Sequence, residues 1–392
     1  MTNQAIKDVF LSRIFNSRGE PSVKVSILTE SGLFSSCAPH GASSGKYEAK
    51  NLEVAKIEKT FPKFRKNFIG LEADFSVADE MLEQFGGKDF AKIGGNFSIA
   101  LSQAVCKASS QNNPFRLFGQ TKYFPFPLGN VLGGGAHGGG TDMQEFLVIP
   151  IKAKTIQETA ETNFAIWRRA ESALKAKGFV AGRNDEGALV SRLNDLKTID
   201  LLSDIAEDFG ARIGIDFAAS ELYGRGQYVY GKLGKRFSAG EQLEFVAHLI
   251  KTYRLAYVED PFQQNDFESF AALAKKVKCI ICGDDLFASH PDRLKKGIRT
   301  KAGNAVILKP NQAGTVSKIL EAAELAKKDG FTPVVSHRSG DTCDSFISDL
   351  AVGIGAPLIK CGIMGSERTA KINRLIEIWN QAKRPEMARL KI

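Results

Sequence analysis

Short apolar runs, each ending on a charged or polar residue, recur through the last two-thirds of the chain: "ARIGID", "LAYVED", "KCIICGDD", "AVILK", "TPVVSH" and "PLIK". Between them lie longer stretches such as "AGEQLEFVAHLIKTYR", "DFESFAALAKKV" and "QAGTVSKILEAAELAKKDG", most with apolar residues at helical spacing. In the last of these Val316, Ile319, Leu320 and Ala323 make one face, and Gly330 supplies a helix stop. Repeated strand and helix units of this length predict a parallel sheet with crossover helices.

An open doubly wound sheet and a closed barrel both fit that alternation. The polar residues decide between them. Asp216, Glu259, Asp284, Lys309, His337 and Lys360 end six consecutive predicted strands. A barrel gathers all its strand ends around one mouth, whereas an open sheet spreads them along an edge. One charged residue after a strand is ordinarily just solvated, but six in succession fit that explanation poorly. The fold class expected is therefore α/β, a TIM-like β/α barrel.

The first part reads differently. "PSVKVSILTESGLFSSCAP" alternates like a strand hairpin and is followed by helical, lysine-rich sequence. We read residues 1–123 as a small N-terminal α+β capping domain over the mouth and 124–392 as the barrel. The boundary falls near "KYFPFPLGN", where aromatic and proline residues break the helical pattern.

Composition narrows the class only slightly. The 392 residues are 43% hydrophobic and 25% charged, an ordinary globular balance. The net charge of +9 is spread without a run of like charges, so a nucleic-acid partner is not expected. Six scattered cysteines point to a reducing cytosol. Cys279 and Cys282 form a C-x-x-C inside an apolar strand, and with no second pair to complete a zinc site they read as buried small hydrophobes. The polar-broken start offers no signal core or anchor, and no stretch is long and apolar enough to span a membrane.

Three acids ending neighbouring strands, Asp216, Glu259 and Asp284, present hard oxygen ligands to one point, which suits Mg²⁺ better than zinc. Glu259-Asp260 and Asp284-Asp285 leave open which member points inward; alternate side chains face the lumen, and we take the first of each pair. Lys309 comes next in order. A lysine at such a mouth, held neutral by desolvation and a nearby cation, is a base for a proton next to a carboxylate; alternatively it only neutralises acid charge. The glycine-rich "GNVLGGGAHGGGTDMQEFLVIP" precedes a strand-like run rather than opening a helix. A dinucleotide loop is thus disfavoured, and a flexible loop bringing His137 and Glu145 to a ligand fits better. A second flexible loop, "HGASSGKYE", reads as a lid carrying Ser43.

These segments resemble the enolase family along nearly the whole chain: "NSRGEPSVKV", "GASSGKYEA", "MQEF", "NDEGA", "FAASELY", "VEDPF", "GDDLF", "LKPNQAG" and "SHRSGDT", in order and spacing. The resemblance implies a cytosolic lyase acting on 2-phosphoglycerate and phosphoenolpyruvate, commonly a homo-oligomer. It implies Asp216, Glu259 and Asp284 as ligands of one magnesium, and Ser43 closing in with a second. Lys309 becomes the C2 base, Glu186 the acid that assists loss of the C3 hydroxide, and Glu145 its carboxylate partner. Lys360 assists the base and the substrate carboxylate, His137 and His337 line the site, and Arg338 with Ser339 holds the phosphate. The chain departs from the family pattern at His40, at Ala188 and in two loops each one residue short, all sparing the metal ligands and the base. Two further readings stay open: a barrel that enolises another carboxylate, and a divergent copy kept for binding.

Overall fold

Val23, Val25 and Ile27 alternate along the strand Pro21–Thr29 and are fully buried, so one face of this strand must meet an apolar partner. It is the centre of a three-stranded antiparallel sheet, flanked by Asp8–Phe15 and Gly32–Cys37. The partner is the helix Gly95–Ser109, buried on nearly every side, with Phe97, Leu101 and Val105 in a core shared with the helices Val54–Arg65 and Phe75–Gly86. The computed structural model describes residues 4–41, 45–119, 122–135, 139–390 and 392. The sequence predicts a hairpin here; the third strand, Asp8–Phe15, escapes it because half of its residues remain open to solvent and leave a weak apolar signal.

The rest of the chain builds a closed eight-stranded barrel. Its strands are Phe126–Gly133, Glu145–Ile149, Arg212–Asp216, Tyr257–Glu259, Ile280–Gly283, Ala305–Leu308, Thr332–Ser336 and Leu358–Gly362. Pairing of Leu358–Gly362 with Phe126–Asn130 closes the ring. Leu128, Leu147, Tyr257, Cys282, Ile307 and Val334 belong to a core that fills the lumen. The alternate residues, among them Val148, Ile215, Val258, Ile281, Val306 and Ile359, belong to a larger core shared with the surrounding helices. Cys279 and Cys282 are both buried, one in each core, as their apolar surroundings predict. The face of Val316–Lys328 forms as expected, with Leu320 half-buried, and Gly330 at φ +77° follows the helix end.

The barrel is not all parallel. Glu145–Ile149 runs antiparallel to both neighbours. The cause is the length of the glycine-rich connection before it: residues 134–144 are too few to carry the crossover helix that a parallel return requires. Glycine is obligatory at Gly134, where a Cβ would stand 1.8 Å from Thr141 Oγ1. The strand Phe126–Gly133 itself was hidden by its proline and glycines, which read as a boundary. A short hairpin, Val180–Arg183 with Leu189–Ser191, extends the end of this strand by pairing Leu189 and Val190 with Leu132 and Gly133.

The two parts dock through buried polar contacts. Asp79 accepts from the backbone and hydroxyl of Ser317 (2.8 and 2.7 Å), and Lys107 donates to both Asp344 oxygens (2.9 and 2.8 Å).

Candidate active site

Six of the seven parallel strands deliver a titratable group to the same end of the barrel. Asp216 and Glu259 are the last residues of their strands and pair in register; Asp284, Lys309 and His337 each follow a strand directly. The reversed strand contributes its first residue instead, and Glu145 stands opposite Asp216. Lys360 lies one layer down the closing strand and reaches up among the acids. These seven residues are buried or nearly so around one cavity of about 280 Å³, which Gln144, Glu186, Arg338 and Ser339 also border, Glu259 standing just behind its wall.

Lys360 Nζ lies 2.8 Å from Asp216 Oδ2, 2.9 Å from Glu259 Oε1 and 3.3 Å from Glu145 Oε2. Burial opposes its charge, but those three acids prevail and hold the ammonium well above its ordinary value. Lys309 Nζ is paired with Asp284 Oδ2. Burial lowers its basicity, Asp284 raises it, and the carboxylate wins. Asp284 thus favours the charged form of Lys309.

The acids carry excess negative charge. Glu145, Asp216, Glu259 and Asp284 face two ammonium groups. Burial, followed by the Asp216 charge, pushes the Glu259 carboxyl up to about 8. Burial and the adjacent Glu186 push Glu145 well above the carboxylate range. Among the described residues, Asp284 Oδ1 is buried and finds no hydrogen-bond partner. An oxygen donor set with surplus charge and an unused buried lone pair fits a hard divalent cation.

The two members of the first acidic dipeptide make different contacts. Asp260, at φ +38°, accepts the backbone N–H groups of Asp284 (3.0 Å) and Asp285 (2.7 Å). Although Asp260, Asp284 and Asp285 bring oxygens within 4.8 Å of one another, both Asp260 oxygens are taken by these amides. Asp260 thus orients the Asp284 turn, while Glu259 points to Lys360 and accepts from the Tyr257 hydroxyl at 2.5 Å.

Glu186 sits at the tip of the extra hairpin. Its turn is set by Asn184, whose side-chain oxygen accepts from the N–H of Glu186 (3.0 Å) and of Ala188 (2.9 Å). Asn130 donates to Glu186 Oε2 (3.1 Å), and His337 Nε2 stands 3.7 Å from Glu186 Oε1. Ala188 is wholly buried in this turn. Arg338 donates to Glu48 Oε2 (3.1 Å) and Asn311 Oδ1 (3.3 Å), and Ser339 Oγ accepts from Arg18 (3.2 Å). His40 pairs through its backbone with Gly340 beside this loop. Ser43 and His137 lie outside the described residues. Sequence reasoning missed Arg18, Glu48 and Asn311, although all three lie in the quoted segments "NSRGEP", "GASSGKYEA" and "LKPNQAG"; it also missed Arg368.

Residues 6–120 match the family model described as "Enolase, N-terminal domain", and 121–386 match "Enolase, C-terminal TIM barrel domain". The enolase of Archaeoglobus fulgidus is 40% identical over 396 residues, spanning 97% of this chain and 99% of that protein. The enolase of Methanosphaera stadtmanae is 40% identical over 413 residues, spanning 99% and 100%. That of Halorubrum lacusprofundi is 40% identical over 401, spanning 96% and 99%. With both family models matched in tandem onto the cap and barrel described above, and this identity sustained end to end, the chain belongs to the enolase family.

Proposed function

We infer that the protein is a hydro-lyase that interconverts 2-phosphoglycerate and phosphoenolpyruvate, using Mg²⁺ as the divalent metal of its family. Asp216, Glu259 and Asp284 would hold one ion, with Ser43 assigned to a second on resemblance alone. Bound there, the cation stabilises negative charge developing on the substrate carboxylate.

The reading is carried by one observation: Lys309 and Glu186 border one cavity from strands three places apart around the barrel, so a base and an acid flank whatever lies between them. Lys309 Nζ takes the C2 proton. Only acid charge, chiefly that of Asp284, opposes burial and the nearby Arg338 and Lys360 charges; once that carboxylate is shared, the balance moves to the neutral amine a base requires. Glu186 gives a proton to the departing C3 hydroxyl, the C2–C3 double bond forms, and water leaves. Glu145 beside it disfavours a second negative charge at that spot, which keeps a proton available. Lys360 faces the substrate carboxylate. Arg338 and Ser339 take the phosphate, the guanidinium meeting phosphate oxygens in pairs; His337 and His137 line the site.

The same reading includes a 1–123 cap and a 124–392 barrel, a cytosolic location and a homo-oligomer. Separate cores support the division. No helix among the described residues is long and apolar enough to cross a membrane. Sedimentation velocity measures the oligomer.

The test follows enol-phosphate absorbance on mixing purified protein with 2-phosphoglycerate. Product is expected with magnesium, and none with chelator or with Lys309→Ala. Folded, magnesium-loaded wild type that forms no product overturns the reading in favour of another acid substrate or a binding role.

A further inference from the structure

Arg368, on the helix Ser366–Gln381, is completely buried behind the cavity and touches none of the acids that hold Lys309 or Lys360. Its two terminal nitrogens carry four hydrogens, and four close acceptors surround them. Nη1 meets His337 Nδ1 (2.9 Å) and the Arg338 carbonyl (2.6 Å); Nη2 meets the Asp185 carbonyl (3.0 Å) and the Ser339 carbonyl (2.6 Å). Nη1 also makes a longer contact to Asp341 Oδ2 (3.4 Å), and Glu367 Oε1 stands 3.3 Å from Nε as a second counter-charge. The backbone approaches closely enough for this only because position 362 is glycine: a Cβ there would stand 2.3 Å from the Glu186 carbonyl and 3.1 Å from Arg368 Cγ.

We propose that Arg368 is a positioning residue that fixes the tautomer of His337 and ties the Glu186 turn to the Arg338–Ser339 loop, so that the acid and the phosphate grip keep one spacing.

The histidine assignment follows from donor arithmetic. A guanidinium has no lone pair to offer, so Nδ1 must accept from Arg368, and it accepts from the Gly362 N–H as well (3.3 Å). The ring proton is thus on Nε2, which faces Glu186 Oε1 from 3.7 Å and has no hydrogen-bond partner among the described residues. A neutral imidazole turns the positive end of its N–H dipole toward this carboxylate across 3.7 Å, which favours Glu186 when it is ionised. Burial, with the charges of Arg368, Lys360 and Lys371, outweighs Glu186 and holds His337 well below its ordinary value. Lysine at position 368 offers three hydrogens for four acceptors, so it cannot hold both loops.

The chain has five histidines, so ¹⁵N-histidine labelling gives few enough signals to assign His337 by its loss in His337→Gln. In wild type we expect Nδ1 bare and Nε2 protonated, unchanged between about pH 6 and 8. An Nδ1–H tautomer, or an imidazolium in that range, overturns the assignment. In Arg368→Lys the single-tautomer signature should break down, with kcat falling about 10- to 100-fold. An unaltered signature or unaltered kcat refutes the positioning role. Should Arg368→Lys fail to fold, the wild-type spectrum still decides the tautomer. The kinetic part rests on the dehydratase reading; wild type with the expected spectrum but no turnover sinks that reading and leaves the spectroscopic one standing.

Discussion

Replacing Glu259 by glutamine should make the metal-free protein more stable while abolishing its response to magnesium. Glu259 is buried among like charges, and its carboxyl is pushed from 4.5 to about 8, first by burial and then by Asp216. Because the folded value lies above the unfolded one, the metal-free protein takes up a proton on folding between those limits and loses stability as pH rises through them. A shift of this size amounts to about 5 kcal/mol for an isolated group. Glu259 shares its proton with neighbours, so we expect the variant to recover about 2–3 kcal/mol at pH 8, or roughly 3 °C in melting temperature for a chain of this length. Glutamine keeps both partners, its carbonyl toward Lys360 and its NH₂ toward the Tyr257 hydroxyl, which accepts as readily as it donates. The assay is thermal unfolding in chelator at pH 5 and 8, repeated with magnesium. Glu259→Gln should melt higher than wild type at pH 8, nearly level with it at pH 5, and gain nothing from the metal. A variant that melts lower than wild type at pH 8 in chelator would mean that the acid cluster is not electrostatically frustrated, and the case for a cation site would fall with it.

Other substitutions probe the supports of the site. Asp260→Ala leaves the Asp284 and Asp285 amides without their acceptor; magnesium affinity by calorimetry should weaken about 10- to 100-fold with the cation ligands untouched. Lys107→Met strands the buried Asp344 carboxylate between cap and barrel and should cost about 3 kcal/mol at neutral pH. Burial is outweighed at Asp344 by Lys107, which holds the carboxyl below its ordinary value, so urea titrations should show that loss shrinking as pH falls below about 4. Glu186→Gln should lower kcat at least 100-fold with little change in KM; a KM effect alone would remove it from proton transfer.

Sequence and structure agree best where function sits on a regular element. Lys309 is legible because "AVIL" can only be a buried strand and the next residue must emerge at its end. Glu145 is less so: its strand was visible, but its direction was not, since direction depends on whether the preceding loop has room for a helix. Glu186 stands on a hairpin inserted outside the strand–helix alternation, and only motif resemblance reaches it. Arg368 was illegible: on a helix an arginine reads as solvated surface, and its burial is decided by two segments far away in the chain, one at Asp185 and one at His337, Arg338 and Ser339. Asp260 and Glu259 were indistinguishable until a positive φ turned one of them toward backbone amides.

The reversed strand also bears on how the barrel assembles. Phe126–Gly133 and Glu145–Ile149 are sequence neighbours joined by a short loop, so their hairpin can form early at small entropic cost. The opposite seam pairs Lys360 with Leu128, across roughly 230 residues, and long-range pairings of this kind form late. Lys360 arrives on that last strand and is the cation on which Glu145, Asp216 and Glu259 converge. Until it docks, three acids at an unfinished rim repel one another, and a nascent chain lacking its C-terminal strand holds the barrel open.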